Sequence, residues 1–349
     1  MPLKILVTDP TMIMHERYLR QSLPADVEWV FADGAEETAL HDLLSESDVY
    51  VGFQLSEAMG HAARNLRLLQ VSGTGTDEID FASLRGDVVV ANTFNHERSI
   101  AEWVVMAMLA LGRQLIQSDR HLRMGVWDSI FQDPAQQLYP TLRGKTMCLV
   151  GFGHIGREIA HLARPFEMNV LAVKRRLDAG LAALHGLSFI GSLDDLPRLL
   201  EEADYLVLAL PVEPKTRGLI GRRELEMMKP SAYLLNVARA GLVDEDALYD
   251  ALAGRRIAGA ALDVWYRYPR EKDGTGQALP SNRHFQLLDN VIMTPHSSGN
   301  TEETYRLRAV DVAQNIKRFL ASEPLVNVVQ PWPRSARDAA DRLESRESN

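Results

Sequence analysis

The sequence predicts an α/β protein built on parallel sheets, and three observations carry that reading. Short apolar runs alternate with longer helical patterns along the chain. Several of those runs are apolar almost throughout, as strands covered on both faces require. A G-x-G-x-x-G segment joins one such run to a helical stretch. At 349 residues the chain exceeds one ordinary core and suits about two domains of roughly 150 residues.

In order, the candidate strands are Lys4–Thr8, Val49–Phe53, Leu68–Val71, Val88–Ala91, Thr146–Val150, Val170–Val173, Tyr205–Leu210, Tyr233–Asn236, Ala258–Leu262 and Val291–Met293. The opening segment, Met1 to Val7, enters the first strand at once and lacks the features of a secretory leader. After Asn92, Ser99-Ile100-Ala101-Glu102 has the form of a capping box, so a helix is expected to start at Ser99. Glu102 then either satisfies a backbone N–H there or contacts substrate or cofactor. The apolar run Trp103–Leu111 is too short for a membrane span and reads as a buried core helix. Residues 331–349 are polar and mixed in charge, the pattern of a surface tail. The stretch 270–283, with Gly274, Gly276 and Pro280, reads as a loop of unassigned role.

Composition narrows the function classes. With 38 Lys+Arg against 47 Asp+Glu the net charge is −9, which argues against a general nucleic-acid binder. The proportions, 46% hydrophobic and 24% charged, are those of a globular protein. One cysteine, Cys148, leaves no intrachain disulfide and no cysteine-based zinc site. No metal site is expected, and the compartment read from these features is the cytoplasm.

The glycine segment, Gly151-Phe152-Gly153-His154-Ile155-Gly156, follows the apolar run Met147–Val150 and opens a helical stretch from Ile155 to Arg164. That setting is the one a dinucleotide fingerprint requires. The first glycine permits the turn, the second admits a pyrophosphate, and the third lets helix and strand approach. His154 and Ile155 begin a helix whose N-terminus favours phosphate. About 20 residues on, an NAD site often carries an acid for the ribose 2′-OH. This chain has Lys174-Arg175-Arg176 there, either a solvated basic turn or a cradle for a 2′-phosphate, which favours NADP over NAD.

From about residue 66 to 330 the chain resembles the D-isomer-specific 2-hydroxyacid dehydrogenases. Beyond the glycine loop the resemblance rests on Gly73-Thr74-Gly75-Thr76-Asp77-Glu78-Ile79-Asp80, Asn236-Val237-Ala238-Arg239-Ala240-Gly241, Ala261-Leu262-Asp263-Val264 and Thr294-Pro295-His296. It implies two Rossmann-like or flavodoxin-like doubly wound domains with an active-site cleft between them. The catalytic domain would comprise 1–99 plus 299–330, and the nucleotide domain 100–298. Homodimers are common in the family. Position by position, Arg239 matches the arginine that holds and polarises substrate, and His296 the general acid/base. Thr74 and Gly75 match positions that offer backbone N–H groups to the substrate carboxylate. Asp263 matches the position that holds the nicotinamide carboxamide, with a buried structural carboxylate or helix cap as the alternative. Pro211 matches the lining of the adenine pocket, although a turn also explains it.

Two positions depart from the pattern. Ala240 stands where the family's N-x-A-R-G segment has glycine. The glutamate expected five residues after Asp263, directly before a proline, is Tyr268 here, followed by Pro269. Tyr268 could orient His296 through its hydroxyl; the site could be reshaped around another substrate; or catalysis could be weakened, leaving a nucleotide-sensing binding protein. The resemblance implies NAD(P)-dependent reduction of a small 2-oxo acid, glyoxylate or hydroxypyruvate first, to the D-2-hydroxy acid. Oxidation of a phosphonate- or phosphite-like oxyanion is the alternative chemistry. Phe53-Gln54 and Trp265 to Tyr268 are candidates for selecting the substrate side chain.

Overall fold

The structure is a computed structural model describing residues 2–21, 23–24, 26–135, 138–177, 180–269 and 278–329. The polar tail and most of the 270–283 stretch lie outside these residues. Among the described residues twelve strands form: β1 Lys4–Val7, β2 Glu28–Phe31, β3 Val49–Gly52, β4 Leu68–Val71, β5 Val89–Ala91, β6 Thr146–Val150, β7 Asn169–Val173, β8 Phe189–Gly191, β9 Tyr205–Leu208, β10 Tyr233–Asn236, β11 Gly259–Leu262 and β12 Val291–Met293. They divide between two compact units, one formed by residues up to Asn95 and from Thr301 onward, the other by His96–Asn300.

The first unit holds a five-stranded, all-parallel sheet in the order β2-β1-β3-β4-β5. Its central strands are buried on both faces, which explains runs such as Val49–Gly52 with no polar alternation. The helix Glu302–Leu320 returns to one face of this sheet, placing Ala309, Val312 and Ile316 against Ile5, Val7 and Leu68. A buried polar link fixes its register: the Asn315 amide donates to Gln70 Oε1 at 2.9 Å and to the Val326 carbonyl at 2.9 Å.

The second unit holds a seven-stranded, all-parallel sheet in the order β12-β11-β10-β9-β6-β7-β8. This is the doubly wound order, which reverses between β6 and β9. Helix Glu97–Gly112 packs on one face, with Trp103, Val104, Ala107, Met108 and Leu111 buried beside Met147, Leu149 and Val207.

Three sequence expectations need correction. Strands β2 and β8 are additional to those expected: each is a short, partly exposed edge strand whose apolar run is only Trp29–Phe31 or Phe189–Ile190, set beside Glu28 or Gly191. The helix expected to start at Ser99 begins at Glu97. Ser99 lies inside the first turn and its hydroxyl donates to the Ser298 carbonyl at 2.7 Å, while Glu102 accepts from Arg98 at 2.8 Å instead of capping. The same helix is not wholly buried, since it is apolar on two faces and only one meets the sheet; Met106 is 54% exposed.

Candidate functional site

Every candidate residue of the second unit lies just beyond the C-terminal end of a parallel strand. The glycine loop follows β6, Lys174–Arg176 follow β7, Pro211 follows β9, and Arg239 follows β10. Asp263 and Tyr268 follow β11, and His296 follows β12. That edge, at the reversal of strand order, is where open α/β sheets bind ligands.

The three loop glycines have different physical reasons. Gly151 has φ +106°, and a Cβ there would collide with the Ala209 carbonyl. A Cβ on Gly156 would lie 2.5 Å from the Gly151 carbonyl oxygen, so this glycine sets helix against strand. Gly153 is the N-cap of helix His154–Ala163, and a Cβ there would meet no protein atom within 4 Å. Packing therefore does not demand glycine at 153, whereas close approach of a phosphate would. The first helical turn carries no acid and the cap has no side-chain acceptor, so its N–H groups and dipole suit an anion. These residues fit a dinucleotide. Arg175 and Arg176 are exposed at the end of β7. Pro211 is exposed, and its carbonyl accepts from Thr216 Oγ1 at 2.9 Å.

On the other side of the reversal, one short segment after β11 organises His296. The His296 backbone sits at φ +55°, a left-handed conformation uncommon outside glycine. The fully buried Asp263 carboxylate holds that turn: it accepts from Thr294 Oγ1 at 2.5 Å, Ser297 N–H at 2.8 Å and Ser298 N–H at 3.0 Å. Trp265 adds an indole N–H to the Thr294 carbonyl at 2.8 Å. Tyr268 Oη lies 3.0 Å from His296 Nδ1 and accepts the Trp265 backbone N–H at 3.2 Å. Partial burial of the ring and then the Arg239 charge hold the His296 imidazole below its ordinary pKa, against an opposing pull from Asp263. Burial raises the Tyr268 phenol, and Arg239 partly offsets this.

Arg239 is presented by a turn that Asn236 ties together, donating to the Arg239 carbonyl at 3.0 Å and accepting the Ala238 N–H at 3.1 Å. Arg239, Asp263, Tyr268 and His296 thus form one electrostatic group. In the other unit, Thr74 and Gly75 lie on the turn after β4, where Thr74 Oγ1 donates to the Thr93 carbonyl at 2.7 Å and Asn92 Nδ2 donates to the Thr74 carbonyl at 2.8 Å. Phe53 follows β3 there and is exposed.

Two features escaped the sequence. Trp265, a candidate for the substrate side chain, is 6% exposed and packs edge-on against Phe285. Glu213 reaches Arg175 at 2.8 Å from the loop after β9. Neither contact has a local signal, since the partners are separated by 20 and 38 residues. Among the described residues no group of three or more His, Cys, Asp or Glu side chains could hold a metal ion.

Comparison with known proteins bears on this geometry. Residues 105–298 match the family described as D-isomer specific 2-hydroxyacid dehydrogenase, NAD binding domain. D-3-phosphoglycerate dehydrogenase of Methanocaldococcus jannaschii is 34% identical over 93% of this chain, which spans only 59% of that relative's length. Glyoxylate reductase of Thermofilum pendens is 34% identical over 75% of this chain and 74% of its own. A D-isomer specific 2-hydroxyacid dehydrogenase family protein from Aeromonas salmonicida superposes with TM-score 0.78 and 26% identity, covering 95% of this chain and 99% of that one.

Proposed function

The chain belongs to the D-isomer-specific 2-hydroxyacid dehydrogenase family, and on that premise we propose that it interconverts a small 2-oxo acid and the D-2-hydroxy acid with a nicotinamide cofactor. The observation that carries this reading is the grouping of Arg239 and His296, with Tyr268 on Nδ1, at one edge of the nucleotide-binding sheet. Arg239 holds the substrate carboxylate and draws electron density from the adjacent carbonyl. His296 gives a proton to the ketone oxygen in reduction and recovers it in oxidation. Tyr268 takes the place of the acid that otherwise partners the ring. Thr74 and Gly75 offer backbone N–H groups to the carboxylate.

When bound, the nicotinamide supplies or accepts the hydride. Gly151, Gly153, His154, Ile155 and Gly156 would hold its pyrophosphate, Pro211 its adenine and Asp263 its carboxamide. Three positive side chains at the end of β7, Lys174, Arg175 and Arg176, favour NADP over NAD. The protein acts as a homodimer, and a reducing cytoplasm suits a chain whose one cysteine, Cys148, can form no intrachain disulfide.

The test is turnover of glyoxylate, hydroxypyruvate and 3-phosphohydroxypyruvate with NADPH and with NADH. At least one pair is reduced, and Arg239→Ala and His296→Ala each lower kcat/KM by about 10²- to 10⁴-fold. Tight dinucleotide binding without turnover of any acid would replace this reading with a nucleotide-sensing protein.

A further inference from the structure

The end of the second strand of a dinucleotide unit reads the adenosine ribose: an acid there accepts from the 2′-OH, and a basic cluster takes a 2′-phosphate. At the end of β7 the sequence has only bases, yet the folded chain has an acid. Both carboxylate oxygens of Glu213 accept from Arg175 Nη1, at 2.8 and 2.9 Å. Glu213 arrives from the loop after β9, a strand on the far side of β6 from β7.

That loop has a built backbone. Thr216, buried, accepts the Glu213 N–H at 2.7 Å and donates to the Pro211 carbonyl at 2.9 Å. The Glu213 carbonyl accepts from the Thr216 and Arg217 N–H groups at 2.9 and 3.0 Å. The main chain therefore fixes where the carboxylate originates. The Arg175 side chain is 71% exposed and that of Glu213 41% exposed; an ion pair this open is weakly held and exchanges readily for a better anion.

We propose that Glu213 determines specificity at the ribose 2′ position: it occupies Arg175 and repels a 2′-phosphate, so the basic cluster discriminates between NADP and NAD far less than three positive charges alone would. The inference rests on the reading that this cluster faces the ribose. A dianionic phosphate entering beside Arg175 displaces one carboxylate contact and meets a negative charge that stays within a few ångströms, because the loop backbone is tied. Removing that charge leaves Arg175 available and takes away the repulsion.

The experiment measures the affinity of the full chain for 2′,5′-ADP and for 5′-AMP by calorimetry at low salt, in the parent, Glu213→Gln, Arg175→Ala and the double variant. The expected result is a rise of about three- to tenfold in the ratio of 2′,5′-ADP to 5′-AMP affinity for Glu213→Gln. Arg175→Ala lowers the ratio, and in the Arg175→Ala background Glu213→Gln has a smaller effect. The NADPH-to-NADH ratio of kcat/KM rises in parallel. If Arg175→Ala lowers the ratio but Glu213→Gln leaves it unmoved, the cluster faces the ribose and the role of Glu213 is overturned. If neither substitution moves it, the placement of the cluster fails and the proposal fails with it.

Discussion

A tyrosine cannot do for a histidine what a carboxylate does. A carboxylate on Nδ1 stabilises imidazolium and raises its pKa by about one to three units, whereas the neutral Tyr268 phenol leaves burial and Arg239 to push His296 down. Reduction consumes the protonated form, so its rate falls as pH rises through a pKa below the ordinary histidine value. Oxidation needs the neutral form and is available from that pH upward. Tyr268→Glu should therefore move the falling limb of the reduction profile upward by about one pH unit or more. Identical profiles in parent and variant would remove Tyr268 from this role. Asp263 makes a separate prediction. In Asp263→Asn one acceptor oxygen becomes an NH₂ that faces backbone N–H groups, so the left-handed His296 turn loses a partner. Stability in urea should drop by about 1–3 kcal/mol, and kcat should fall more than dinucleotide affinity. A loss of affinity with unchanged stability would assign Asp263 to the cofactor alone. Tyr268 was legible as a departure from a motif, and its hydroxyl contact with His296, 28 residues away, was among the readings that departure offered; the bond that same hydroxyl accepts from the Trp265 N–H was not legible. Nor were the three donors on Asp263, 31 to 35 residues off.

Among the elements, the sequence signal was strong wherever burial on both faces left no choice of residue. β4, β6 and β10 form over the ranges their apolar runs outline, and so does β12, although it is an edge strand only partly buried; β2 and β8, also short edge strands, set only Trp29–Phe31 and Phe189–Ile190 beside Glu28 and Gly191. The capping box at Ser99 misled because the chain enters this helix from a turn at His96, freeing Ser99 to tie the helix to the Ser298 carbonyl. The glycine loop was legible as a motif, but not which glycine serves the fold and which a ligand. The geometry separates them. Gly156→Ala forces its Cβ against the Gly151 carbonyl, so helix and strand must part, at a cost of about 1–3 kcal/mol. Gly153→Ala meets no protein atom, so its melting temperature should stay near the parent's while NADH affinity falls at least tenfold. Equal destabilisation by both substitutions would mean that the loop is only a tight turn.

For the molecule as a whole, the exposed apolar surface is unevenly placed. Of the 22 large apolar side chains exposed among the described residues, 12 lie between Met106 and Tyr139. They belong to the outer face of helix Glu97–Gly112, the helix Leu115–Arg123 and the segment after it. Trp127 is 66% and Phe131 89% exposed. Elsewhere in the described chain such residues are scattered, which is ordinary for a protein surface. No single helix among the described residues is long and apolar enough to cross a membrane, and an apolar face left in water gains from being covered by another like it, a gain that works against the repulsion of two chains at −9. Twelve side chains of this size expose on the order of 1,000 Å², comparable with one partner's share of a stable protein interface. A symmetric pair buries the same patch on both copies, so a charge added near its centre is met twice. Sedimentation should accordingly give a dimer for the parent at micromolar concentration. Met106→Glu combined with Trp127→Glu should give a folded monomer, with the secondary structure kept because neither side chain contributes to a core. A monomeric parent would overturn the dimer. A variant that stays dimeric would move the interface away from this face.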